Sequence, residues 1–125
     1  MPTPVLLLAA LFADGSLEGR WTHPNGSVTV AIAQCGEAWC GTVVAASDKA
    51  KADAAKGGTR DLVGTQLMTG FTAAGEDKWK GRLFVPDRNF RARAELRLLD
   101  SNRLVVRGCM AGKMLCKSQT WTRAD

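Results

Sequence analysis

No stretch of this chain is long and apolar enough to cross a bilayer, histidine is nearly absent, and like charges never gather into a block. Each absence removes a class of function. The main apolar run, Val5 to Ala10, reads Val-Leu-Leu-Leu-Ala-Ala, far short of the ~20 residues that a spanning helix needs. The chain is therefore not expected to be transmembrane. His23 is the only histidine and precedes Pro24 in a turn, so no Ser or Cys has a nearby base to activate it as a nucleophile. Seventeen Lys and Arg against twelve Asp and Glu give a net charge of +5, dispersed along several segments. Such a balance permits an anionic surface as a partner without requiring one, and nucleic acid is not expected.

Metal and redox chemistry are disfavoured by spacing. Trp39-Cys40-Gly41 echoes a thioredoxin motif, but that chemistry needs a cysteine where Val43 stands. Cys109 and Cys116 are too far apart for a typical zinc knuckle. Asp48, Asp53 and Asp61 match no calcium loop, which needs more oxygen ligands and a terminal Glu. No catalytic residue, cofactor or metal is expected, and the chain does not read as an enzyme.

What is present points to β structure. The 125 residues make one domain. Met1 to Ala13 carries no charged side chain and suits a secretory signal peptide cut after Ala13. A buried first strand or short helix is the other reading of that segment. Residues 14–125 then form a single β-barrel domain. Four cysteines lie in two close pairs, Cys35/Cys40 and Cys109/Cys116. They allow three connectivities. The local one is favoured, because facing residues of a hairpin sit ~4.5–5.5 Å apart, within disulfide reach. Each small loop would contribute roughly 2 kcal/mol.

The strands follow in order. Ser16–Thr22 leads to Pro24-Asn25-Gly26, a hairpin signal that also forms the Asn25-Gly26-Ser27 sequon; the turn is the expected use. Val28–Gln34 and Trp39–Ala46 flank the first cysteine pair. Residues 46–61 form one long loop rich in Ala and charge, with a turn of helix over Lys49–Lys56 as one option. It is expected to be a solvated excursion, with a lid or binding loop as the alternative. Strand four covers Gly64–Phe71. Trp79, Gly81, Leu83 and Val85 share one face of the fifth, and Phe90, Ala92, Ala94, Leu96 and Leu98 one face of the sixth, opposite Arg91, Arg93, Glu95 and Arg97. Two more strands lie either side of the second cysteine pair. The fold class is all-β: an eight-stranded antiparallel up-and-down barrel, in which first and last strands pair and remove both edges.

Gly19-Arg20-Trp21, Pro24-Asn25-Gly26, Cys35-Gly36 with Cys40-Gly41, Gly108-Cys109, and Cys116 through Arg123 with its Ser-Gln-Thr-Trp core together carry a resemblance. Over residues 17–123 the chain resembles a bacterial envelope family catalogued as domain of unknown function twenty-one forty-seven. The resemblance implies a small exported, lipocalin-like protein and brings no activity with it. The chain departs from that pattern at Asp87 to Phe90, with Asn89 and Phe90 where the family has a Gly-rich turn and a tyrosine. By analogy with the wider calycin pattern, Trp21 closes one end of the barrel and Arg123 lies across its ring, a cation–π contact worth ~0.5–2 kcal/mol.

An eight-stranded barrel is either filled by side chains or holds one small ligand. The leading expectation is binding of a small apolar or amphipathic molecule in a periplasmic or secreted protein, with Trp79, Phe90, Ala92 and Ala94 lining the site. The alternative is a filled barrel acting as an interaction module, its Arg91/Arg93/Arg97 face meeting an envelope protein or anionic surface. The compartment is checked directly: thiol titration of denatured, unreduced protein purified from the periplasm is expected to find no free thiol. Four reactive thiols would overturn the oxidising-compartment reading.

Overall fold

The computed structural model describes residues 16–110 and 115–124, and the expected signal segment, residues 1–13, lies outside them. Eight strands run β1 Gly19–Thr22, β2 Val28–Cys35, β3 Ala38–Ala46, β4 Gln66–Gly75, β5 Lys78–Val85, β6 Phe90–Asp100, β7 Arg103–Met110 and β8 Leu115–Arg123. Each pairs antiparallel with the next, and β1 pairs with β8 to close the barrel. The expected up-and-down architecture is the observed one.

Period-two burial along β6 shows why the sheet curls with one face inward. Ala92, Ala94, Leu96 and Leu98 are buried, while Arg91, Arg93 and Arg97 are exposed. Register places Trp79, Gly81, Leu83 and Val85 of β5 opposite Leu96, Ala94, Ala92 and Phe90. On β4 the alternation is interrupted. Between Thr69 and Thr72 three steps on β4 match two on β5, and Gly70 takes φ +65°. This bulge inserts one residue and returns Phe71 to the inner face beside Met68, both fully buried. Gly81 makes the space: a Cβ there would lie 2.7 Å from the Phe71 ring and from the Thr69 carbonyl oxygen.

One turn differs from expectation. Asn25-Gly26 does not make a two-residue hairpin. Only Gly26 takes positive φ; Asn25 Oδ1 instead accepts from Ser27 N at 2.8 Å, which widens the β1–β2 connection to five residues, 23–27. At the β5–β6 turn Asn89 takes φ +53°, so an Asn supplies the left-handed backbone that a glycine would give.

One end of the barrel is sealed. Trp21 is fully buried and donates from Nε1 to the Leu17 carbonyl at 3.0 Å. Arg123 lies 4.3 Å from its ring centroid and donates to the carbonyls of Ser101 (2.6 Å), Glu18 (2.9 Å) and Ser16 (2.9 Å). Gly19 is required here, because a Cβ at φ +138° would collide with the guanidinium. Asp100 organises the adjacent turn by accepting from Asn102 N and Arg103 Nε, bonds that hold its carboxyl below the usual range. Above this floor Val30, Ile32, Val43, Met68, Leu96 and Leu104 fill the interior.

Both disulfides form locally. Cys109 and Cys116 face each other across β7 and β8. Cys35 and Cys40 are diagonal neighbours, since Cys35 pairs with Ala38 and Cys40 with Ala33, and their Cα atoms are 5.8 Å apart. The two bridges staple opposite ends of the barrel.

Arg123→Ala removes a cation–π contact and three charge-assisted bonds. Urea unfolding is expected to show a loss of about 2–4 kcal/mol. Arg123→Lys should recover less than half of it, because an ammonium cannot span three carbonyls and a ring face together.

Candidate functional site

The other end of the barrel is open. The β1–β2 connection, the chain between β3 and β4, and the β5–β6 turn gather there, around a cavity of about 740 Å³. That size falls within the ~300–1,000 Å³ of small-molecule sites. Its walls are Leu67 of β4, Leu83 of β5, Phe90 and Ala92 of β6, Val106 of β7 and Trp121 of β8. Among the described residues no polar or charged side chain is buried, so the deep wall is apolar.

The segment expected as a long loop contains a helix, α1 (Asp48–Lys56). Its sequence explains it. Ser47 caps the start, its Oγ accepting from Ala50 N at 3.1 Å, with Asp48 in the first turn and Lys56 in the last. Ala50, Ala52, Ala54 and Ala55 supply helix propensity, and Lys49 pairs with Asp53 at 3.0 Å, both solvent-accessible and bordering the cavity. Ala50 and Ala54, four apart, turn to the cavity, and Ala54 is buried.

The helix crosses the mouth and is held at both ends. Ser47 N donates to the Ser27 carbonyl at 2.9 Å. At the other end Gly57 packs so closely on the Asp87 backbone that no Cβ fits, and Thr59 Oγ1 donates to the Pro86 carbonyl at 3.2 Å. Leu62 then tucks beneath, 3% exposed. The rim has apolar character too: Met110 and Leu115 pair across β7 and β8 and are 49% and 63% exposed.

Of the residues expected to line a ligand site, Phe90 and Ala92 border the cavity. Trp79 and Ala94 lie in the packed half, where Ala94 faces Gly81 and the Phe71 ring takes the room that Gly81 leaves. Trp21 and Arg123 stand at the sealed floor. Sequence reasoning placed His23 in a solvated turn; its ring meets Trp121 edge-on, with centroids 5.2 Å apart, and its Nδ1 accepts from Asn25 N at 3.1 Å. It passed over Lys117 and Gln119, which line the cavity. The signal that finds them is the strand period: both share the inner face with Trp121.

The arrangement offers a chamber with an apolar deep wall. Among the described residues no group of three His, Cys, Asp or Glu stands close enough to hold a metal ion, and no helix is long and apolar enough to cross a membrane.

Family comparison fits this geometry. Residues 19–123 match the model of a family described as "Uncharacterized protein conserved in bacteria (DUF2147)". The chain belongs to the DUF2147 family. No curated protein matches it in sequence. Among solved structures, this DUF2147 barrel is similar to protein HP1028 from the human pathogen Helicobacter pylori, described as belonging to the lipocalin family. The TM-score is 0.69 at 11% identity, over 88% of this chain and 84% of that one. At that identity the likeness carries the lipocalin-like fold and nothing finer.

Proposed function

We propose that this DUF2147 protein is a non-enzymatic binding protein of the bacterial periplasm or exterior, holding a small apolar or amphipathic molecule in the open half of its barrel. The observation that supports this reading is the cavity of about 740 Å³ under α1, lined mainly by apolar side chains in a barrel whose other half is packed. Two disulfides are compatible with an oxidising compartment. Incubation with bacterial lipid extract followed by native mass spectrometry is expected to show a one-to-one adduct. Ala92→Phe, which places a ring in the cavity, should abolish the adduct with a melting temperature within a few degrees of the parent. No adduct on the parent protein, from extract in excess, would sink the proposal.

A second reading rests on the outer surface. Lys78, Lys80 and Arg82 of β5, Arg91, Arg93 and Arg97 of β6 and Arg107 of β7 point outward around a single acid, Glu95. Seven cations less one acid leave +6 on this face, against +5 for the whole chain. Register even sets Arg82 opposite Arg93 and Lys78 opposite Arg97, pairs that repel across a sheet. Among the described residues the ion pairs lie elsewhere, at Lys49–Asp53 and Arg103–Asp100. Such a face suits an anionic envelope surface or protein. Co-sedimentation with anionic vesicles, falling as salt rises and lost on charge reversal of Arg91, Arg93 and Arg97, is the expected result. Equal recovery of parent and reversed protein, from vesicles or envelope extract, would remove this reading.

A further inference from the structure

We infer that the cavity is built for an amphiphile with an anionic head group, carboxylate or phosphate, seated against Lys117 and Gln119. The inference rests on the cavity reading above and adds the chemistry of the head. Among the strand residues that line the cavity, Lys117 is the one that carries a charge. The other charged liners, Lys49, Asp53, Asp87 and Arg88, belong to α1 and the β5–β6 turn.

Lys117 is on the inner face by two independent signs. It keeps the period of Trp121, which is buried, and it stands opposite Gly108. A Cβ on Gly108 would point at Leu83, 3.5 Å away, so that position faces the interior, and its missing side chain leaves space beside the lysine. Lys117 and Gln119 are exposed because the chamber opens to solvent. Both ion pairs of the described residues involve other groups, so among the described residues no carboxylate stands within ion-pair distance of the inner ammonium.

Gln119 completes the polarity. Its Oε1 accepts from Trp121 Nε1 at 3.3 Å, which fixes the amide and leaves the Nε2 hydrogens free to donate. An ammonium and an amide N–H₂ offer donors only, the complement of an anion's lone pairs. Inward of them, Trp121, Val106, Leu83 and Ala92 form the apolar wall that a hydrocarbon tail would cover. A donor pair at the mouth above an apolar wall specifies both the polarity of the ligand and its orientation, head outward.

Binding of decanoate, decyl phosphate and decanol to the full chain, followed by tryptophan fluorescence, tests this. Both anions are expected to bind about tenfold or more tighter than decanol, and their ratio identifies the preferred head. Lys117→Met should remove that preference by weakening both anions, while Lys117→Arg should keep it. If all three bind parent and Lys117→Met alike, the head-group assignment is overturned and the cavity reading stands. If none binds the folded parent, both fall.

Discussion

Everything in this barrel depends on joining its shortest strand to its last. β1 has four residues and meets β8 through two register pairs, Trp21 with Arg123 and Thr22 with Thr122. So short a seam leaves β1 free to fray. Arg123 extends it by other means, reaching the carbonyls of the preceding chain and of the β6–β7 turn while covering the Trp21 ring. One side chain thus ties three separate segments at the floor. Glycine at position 19 belongs to the same device, since any side chain there would displace the guanidinium.

The interior divides because its small residues are not equivalent. Gly41 and Gly81 admit Met68 and Phe71 against the sheet, and the Gly70 bulge sets Phe71 in phase to use that space. The lower half closes on aromatic and branched side chains. Higher up, Ala92 and Gly108 face Leu83 and Lys117, and no large residue compensates for their size. The chamber is the remainder, roofed by a helix too poor in large apolar residues to plug it.

Much of the fold was legible in the sequence, because strand alternation and cysteine spacing are local signals. The inner faces of β5 and β6 follow directly from Trp79–Val85 and Phe90–Leu98. The β4 bulge was not legible, since Gly70 reads like any strand glycine until its partner strand is known. α1 was half-visible: alanine content and the Ser47 cap mark a helix, but its two seats, on Ser27 and on Asp87, join residues remote in sequence. The site divided similarly. Phe90 and Ala92 stand where period two puts them, at the cavity. Whether Ala94 frees space depends on Phe71, which sits across the β4–β5 pairing and has no signature near residue 94. Lys117 was hidden by its chemistry, because a lysine on a strand near a chain end reads as solvated.

The basic face is carried by β5, β6 and β7, on the flank of the barrel, whereas the mouth lies at one end, between α1 and the β5–β6 turn. Outward side chains of a barrel project across its axis, and strands lean only ~35–45° from that axis. A molecule resting on this flank therefore lies on its side. Its opening looks along the supporting plane, level with whatever moves within that plane, and neither down into it nor up into bulk water.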